Sequence, residues 1–95
     1  MNKSDIALDL ANKALTAIQE EINLQNTGRE SVSNLRQLSA FQQELKQMVN
    51  ELETGELSPP NQRSRGIGRV ITDSWPFGNV LGDLIIRAET AYRNV

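Results

Sequence analysis

Residues 32–52 read VSNLRQLSAFQQELKQMVNEL, and this stretch decides the fold. Its apolar residues recur every three or four positions, which is the spacing of one face of an α-helix with about 3.6 residues per turn. They are Leu35, Leu38, Phe41, Leu45, Met48, Val49 and Leu52. Ser31 or Ser33 is placed to cap the start of this helix, and Gly55 follows its last apolar residue as a helix terminator. An apolar face of this length has to be covered, so the rest of the chain is expected to supply further helices.

Apolar residues with helical spacing also occur before and after this stretch. The N-terminal series predicts a helix from about residue 4 to residue 24, capped by Ser4, and the small side chains of Ala7 and Ala14 would let another helix approach closely. The C-terminal series predicts a last helix capped by Asn79, and a shorter apolar group ahead of it predicts a brief third helix. In chain order the apolar residues of these segments are Leu8, Ala11, Leu15, Ile18 and Ile22, then Ile67, Val70 and Ile71, then Val80, Leu81, Leu84, Ile85, Ala88 and Tyr92.

These segments predict an all-α fold, a small bundle of about four helices in one domain over residues 1–95. The first two helices would form a long antiparallel hairpin, because only a short turn joins them. The short helix and the C-terminal helix would close the apolar side that the hairpin leaves open. A loop at about residues 55–66 separates the two parts, since Pro59 and Pro60 prevent regular helix there.

Composition and charge argue against several classes of function. The 95 residues carry 12 acids and 10 bases, a net charge of −2, whereas a general nucleic-acid binder usually has an excess of bases. Cysteine and histidine are absent, so the sequence offers no disulfides, no thiolate chemistry and none of the usual transition-metal ligands. No apolar run approaches the roughly 20 residues of a membrane span, and the N-terminus lacks the apolar centre of a signal peptide. We therefore expect a cytoplasmic protein with no metal, no cofactor and no membrane partner.

No residue pattern in the sequence is typical of a catalytic site. The close acid pairs, Glu20 with Glu21 and Glu51 with Glu53, lie one or two positions apart, so on a helix they point away from each other. The serines have no histidine to activate them. Residues 66–68 (GIG) look like part of a phosphate loop but lack the lysine–serine pair that completes one. These glycines are expected to allow close packing at a helix start, and the protein is expected not to be an enzyme.

Two groups of residues near the loop are candidates for binding. Trp75, at a proline-flanked corner, either plugs the open end of the core or anchors an interface, where tryptophan is enriched. Asp73 beside it is a candidate for pairing with a basic groove of a partner. Arg63, Arg65 and Arg69 could bind nucleic acid or an acidic protein patch, although no aromatic residues are interleaved among them for base stacking.

The order of these elements resembles a known family. The features that carry the resemblance are Ala14-Leu15 with Ile18, Leu38-x-x-Phe41-Gln42-x-x-Leu45, Ile67-Gly68-x-Val70-Ile71-x-Asp73, and Leu81-x-x-Leu84 with Ala88. With them, nearly the whole chain resembles the small helical immunity proteins of bacterial type VI secretion that protect against NAD-dependent toxins. Those toxins include NAD glycohydrolases and ADP-ribosyltransferases, often carried on Rhs-type effectors.

The resemblance implies an antitoxin that binds its cognate toxin domain stoichiometrically and blocks the active or target-binding site without chemistry of its own. Acids on such an inhibitor would mimic the phosphates of the dinucleotide. The residues expected to bind the partner are Asp73, Trp75, Glu51, Glu53, Glu56 and Arg69. Two alternatives stay open: a helical adaptor or secretion chaperone that holds a helix of an effector protein in an apolar groove, and a nucleic-acid binder that uses the arginine cluster. The oligomeric state of the free protein also stays open.

Overall fold

Within the part of the chain that the structure describes, the residues fold into four α-helices. The structure is a computed structural model, and it describes residues 2–28, 33–63 and 66–95. Helix α1 spans Lys3–Asn26, α2 Leu35–Thr54, α3 Ile67–Ser74 and α4 Val80–Arg93, and a 3-10 turn occupies Pro60–Gln62. The described residues contain no strand, so the predicted all-α bundle of about four helices is confirmed.

Helix α1 packs against both α2 and α4, and α3 packs against α4. Two side-chain hydrogen bonds show the relative direction of α1 and α2. Close to their connection, Gln25 Nε2 donates to the backbone oxygen of Ser33 at 3.1 Å. Farther away, Gln42 Nε2 donates to Gln19 Oε1 at 2.6 Å. Because the partner on α1 moves towards the N-terminus as α2 advances, the two helices form the antiparallel hairpin that the sequence predicts.

The inner face of α1 is made mostly of alanine. Ala7, Ala11 and Ala14 are fully buried together with Ile18. Side chains this small allow close approach of a neighbouring helix, as the sequence predicts, and α1 packs against two such helices, α2 and α4. The remaining helices complete the core with Leu38, Phe41, Leu45, Met48 and Leu52 from α2, Ile67 and Ile71 from α3, and Ile85, Ala88 and Tyr92 from α4.

The cap of α1 is Asn2, and the prediction that Ser4 caps this helix is wrong. The Asn2 side chain accepts a hydrogen bond from the Asp5 backbone N–H at 2.8 Å, which satisfies an amide that has no partner within the helix. The helix ends at Asn26, and Gly28 follows with a φ of 87°. It therefore extends beyond the predicted bounds at both ends. The earlier start arises because a second good capping residue, Asn2, lies ahead of the predicted one.

The cap of α2 is Asn34, whose side chain accepts a hydrogen bond from the Gln37 backbone N–H at 2.8 Å. The prediction of Ser33 as the cap is wrong, because this residue lies one position too early and its hydroxyl donates to the Gln37 side chain instead. The other predicted cap, Ser31, lies outside the described residues. At the far end of α2, Gly55 adopts the left-handed conformation with a φ of 76°, as predicted.

Buried and half-buried polar groups tie the loop after α2 to the end of α4. Glu51 Oε1 accepts hydrogen bonds from the Ser58 backbone N–H at 2.7 Å and from the Tyr92 hydroxyl at 2.8 Å. Arg63 is buried, and it donates from Nε to the Ser58 backbone oxygen at 2.7 Å and from Nη1 to the main-chain oxygen of Val95 at 2.6 Å. These bonds hold the loop across the adjacent ends of α2 and α4, so Glu51 and Arg63 contribute to the fold itself.

Candidate functional site

The corner between α3 and α4 places its two aromatic residues in opposite environments. Trp75 is buried, with its ring centroid 5.9 Å from that of Phe41, and its indole Nε1 donates to Gln37 Oε1 at 3.0 Å. Phe77, two positions later, has a relative exposure of 108%. Of the two roles that the sequence leaves open for Trp75, the geometry therefore favours packing at the open end of the core. The exposed aromatic side chain at this corner is Phe77.

Local geometry fixes the corner on both sides of Phe77. Gly78 has a φ of 79°, a conformation that glycine adopts without steric cost. Asn79 caps α4 as predicted, and its side chain accepts a hydrogen bond from the Gly82 backbone N–H at 2.8 Å. A Cβ atom at Gly82 would lie 2.9 Å from Ile71 Cγ2, so only glycine lets α3 and α4 approach this closely. The corner is therefore held by contacts on both helices.

Two open hollows flank this corner and share Asn79. The first has a volume of about 170 Å³ and is lined by residues of α3, the corner and α4, among them Trp75, Phe77 and Asp83. The second, of about 360 Å³, lies between the end of α1 and the start of α4 and is lined by Glu20, Glu21, Leu24, Val80 and others. Val80 is 82% exposed and Leu24 41% exposed. The two hollows and the residues between them form one continuous surface at this end of the bundle.

We call this area the Phe77 surface. Its exposed apolar residues are Leu24, Pro76, Phe77 and Val80, and its acidic residues are Glu20, Glu21 and Asp83. No lysine or arginine of the described chain lines either hollow. The surface therefore combines an exposed apolar centre with negative charge.

The six residues that the sequence predicts as partner contacts fall into two groups. Arg69, Asp73 and Trp75 lie on α3 or at its end, whereas Glu51, Glu53 and Glu56 lie at the end of α2. Trp75 touches Gln37 near the start of α2, and Gln37 and Glu51 are about 21 Å apart along the axis at about 1.5 Å per residue. The structure does not bring the two groups together at one site.

The individual environments of these residues also differ. Arg69 and Asp73 are 89% and 69% exposed, with Arg69 Nε and Asp73 Oδ2 4.0 Å apart on adjacent turns of α3, so both remain accessible to a partner. Glu53 and Glu56 are exposed, but Glu51 is half-buried and accepts the two hydrogen bonds that hold the loop.

The structure does not assemble the arginine cluster that would bind nucleic acid. Arg63 is buried and bonded to main-chain oxygens, Arg65 lies outside the described residues, and Arg69 is beside Asp73. At the start of α3, the Gly68 backbone N–H donates to Glu89 Oε1 at 3.1 Å. A phosphate there would meet a carboxylate, and a Cβ atom at Gly68 would lie 2.9 Å from Glu89 Oε1, so close packing is the better account of Gly68. The same expectation is wrong for Gly66, which has open space around it and a φ of 76°, a conformation that glycine adopts without steric cost.

The residues that sequence reasoning missed are Phe77 and Val80. The apolar pattern of α4 assigns Val80 to the core face, which is wrong, because the buried face of this helix runs through Ile85, Ala88 and Tyr92 and leaves its first residue exposed. Phe77 stands between a proline and a glycine, outside any helix that would bury it. This position in a tight turn is the one sequence signal that indicates an exposed aromatic residue.

Comparison with known proteins adds no family to this description. No protein-family model matches the chain, and no curated protein matches it. None of the described helices combines the length and apolar character that crossing a membrane requires. Across the same residues, no group of three or more acidic, histidine or cysteine side chains is placed to hold a metal ion.

Proposed function

We propose that this chain is an immunity protein that inhibits a cognate secreted NAD-dependent toxin by binding it in the cytoplasm of the producing cell. The observation that carries the proposal is the fully exposed Phe77 on a corner fixed by buried Trp75. Aromatic residues are enriched in protein–protein interfaces relative to the rest of a protein surface. The resemblance in the sequence supplies the class of partner, a NAD glycohydrolase or ADP-ribosyltransferase domain. Inhibition by binding requires no catalytic residue and no cofactor of its own.

The energy of such a contact is consistent with an anchoring role for Phe77. Burying a phenylalanine side chain contributes about 1.5–3 kcal/mol, and a few central anchors carry most of the binding energy of an interface. A free toxin domain turns over many substrate molecules, so its inhibitor has to bind tightly. Leu24 and Val80 on the same surface add apolar area around the anchor.

The size of a stable interface indicates which other residues would join the contact. Each partner typically buries about 800 Å², roughly one seventh of the 5909 Å² of accessible surface here. A circular patch of that area has a radius of about 16 Å. A patch centred on the corner would take in Asp73 and Arg69 on α3, whereas Glu51, about 21 Å along α2 from the Trp75 contact, would fall outside it. Among the six predicted contact residues, the size of the patch therefore favours those on α3 or at its end over those at the end of α2.

A helical adaptor or secretion chaperone is the second candidate. The observation in its favour is the open hollow between α1 and α4, where exposed Leu24 and Val80 could receive the apolar face of a partner helix. A chaperone of this kind would bind the effector before secretion without suppressing its toxicity, and this difference separates the two candidates.

Growth rescue tests the proposal. The toxic domain of a NAD-dependent secreted effector from the source bacterium is expressed in a heterologous bacterium, alone and together with this protein. Co-expression of the wild-type chain is expected to restore growth and to lower consumption of cellular NAD or modification of the target. Growth arrest that persists while both proteins are in the soluble fraction would contradict the immunity function, and a stable complex that remains toxic would favour the chaperone.

A further inference from the structure

We propose that the partner presents a concave apolar pocket with a rim of lysine or arginine, and that Phe77 inserts into this pocket as a preformed knob. The inference rests on the proposed function, because it describes the surface of the protein that the chain binds. It commits to a folded protein domain with a basic cleft as the occupant of the Phe77 surface.

The shape of the corner indicates a knob and not a groove. The Phe77 side chain has no covering neighbour, with a relative exposure of 108%. Its backbone is held on one side by Trp75, which is bonded to Gln37 and packed on Phe41, and on the other by the Asn79 cap of α4. Because the backbone is fixed before binding, little conformational freedom is lost on insertion. A convex side chain on a fixed backbone is complementary to a concave pocket.

The charge around the knob indicates the chemistry of the rim. Asp83 lines the hollow beside Phe77, and Glu20 and Glu21 line the hollow beside Val80. Neither Asp83 nor Glu20 forms an ion pair within the described residues. Interfaces place complementary potentials opposite each other, which steers the encounter and selects the partner. A partner with basic residues around its pocket would meet the carboxylates of Asp83 and Glu20.

The same charges disfavour other occupants. In a symmetric dimer through this surface, the acids of one copy would face those of the other, and like charges placed opposite each other weaken an interface. Anionic lipid headgroups and the phosphates of nucleic acid would be repelled in the same way. A basic protein cleft is the occupant that both the apolar centre and the charge of the Phe77 surface fit.

Site-specific photocross-linking in the source bacterium tests the inference. Phe77→p-benzoylphenylalanine places the reactive group at the knob, and Ile6→p-benzoylphenylalanine is the matched control, since Ile6 is 44% exposed near the start of α1 at the opposite end of the bundle. We expect an adduct with one other protein from position 77 and none from position 6. The cross-linked peptide, mapped by mass spectrometry, should line an apolar pocket with lysine or arginine at its edge.

A charge reversal in the cross-linking background tests the rim. Asp83→Lys should lower the yield of the position-77 adduct about tenfold, because it places a positive charge against a basic rim. Asp9→Lys, a reversal of an exposed acid on α1 that lies outside both hollows, should leave the yield unchanged. Equal adduct yields from the two variants would contradict the proposal that basic residues surround the partner's pocket.

The remaining outcomes separate this inference from the proposed function. Three outcomes would contradict the insertion of Phe77 into a partner's pocket: no adduct from position 77, equal adducts from positions 77 and 6, or an adduct with a second copy of the chain. If the same chain nevertheless rescues growth, the immunity function is still supported. A position-77 adduct with a basic pocket of a protein that is not a toxin would support the knob and contradict the immunity function.

Discussion

Trp75 and Phe77, two positions apart at one corner, should respond oppositely to replacement by alanine. Trp75→Ala removes a buried ring that packs on Phe41, and truncation of a core aromatic residue costs about 3–5 kcal/mol. The Gln37 acceptor keeps a hydrogen bond from the Ser33 hydroxyl, so no unsatisfied polar atom adds to this loss. Phe77→Ala removes a ring in full contact with water, and the change in unfolding free energy should stay within about 0.5 kcal/mol.

These magnitudes are large relative to the stability of a small domain. Total unfolding free energies are about 5–15 kcal/mol, and 1 kcal/mol shifts the Tm of a domain of this size by about 4–8 °C. The Trp75→Ala variant should therefore melt roughly 12–40 °C below the wild type, whereas Phe77→Ala should melt within a few degrees of it. If Trp75→Ala does not fold, Trp75→Phe provides a milder variant that should still lose stability.

The assay is urea denaturation followed by far-UV circular dichroism for the wild type and the three variants. Trp75 is the only tryptophan, so its fluorescence reports its own burial in the wild type and in Phe77→Ala. Both proteins should show the blue-shifted emission of a buried indole. A loss above about 2 kcal/mol for Phe77→Ala, or below about 1 kcal/mol for Trp75→Ala, would refute the assignment of the two rings.

Three further substitutions test the packing and the caps by the same denaturation assay. Gly82→Ala should destabilise the protein, because the new Cβ would lie 2.9 Å from Ile71 Cγ2 and overpacking costs about 1–3 kcal/mol. This cost should exceed the gain in helix propensity of about 1 kcal/mol. A variant more stable than the wild type would contradict the close approach of α3 and α4. Tyr92→Phe should lose about 1.5–3 kcal/mol, since its hydroxyl bonds a Glu51 oxygen at 2.8 Å, and an unchanged midpoint would show that this bond does not form. Asn34→Ala should lose about 1 kcal/mol as the removal of a helix cap, and no loss would place the cap elsewhere.

The helices could be predicted because each carries its signal within its own residues. The face of Leu38, Phe41 and Leu45 and the terminating Gly55 define α2 without reference to the rest of the chain, and Asn79 marks the start of α4. The capping residue of a helix could not be predicted where several residues that cap well are adjacent in the sequence. Serine and asparagine cap about equally well, so the choice between Ser33 and Asn34 depends on where the backbone turns.

The candidate site could be predicted only in part, because burial at the corner depends on distant residues. Trp75 is bonded to Gln37, 38 positions earlier in the chain, and Arg63 is bonded to Val95, 32 positions later. Nothing near Arg63 in the sequence distinguishes it from the exposed Arg69. Asp73 and Arg69 lie on an exposed helix face as a partner contact requires. The position of Phe77 between a proline and a glycine indicates exposure, but only the burial of Trp75 shows which of the two aromatic residues at the corner faces solvent.

The dissociation constant of the complex with the toxin domain that this protein is proposed to neutralise tests the central claim most directly. It is measured by isothermal titration calorimetry for the wild type, Phe77→Ser and the control Ile6→Ser, which changes an apolar residue of partial exposure at the other end of the bundle. An anchor worth about 2 kcal/mol predicts binding about 30-fold weaker for Phe77→Ser, with Ile6→Ser within about twofold of the wild type. Equal affinity of Phe77→Ser and wild type would contradict the account, because the toxin would then bind another face of the bundle.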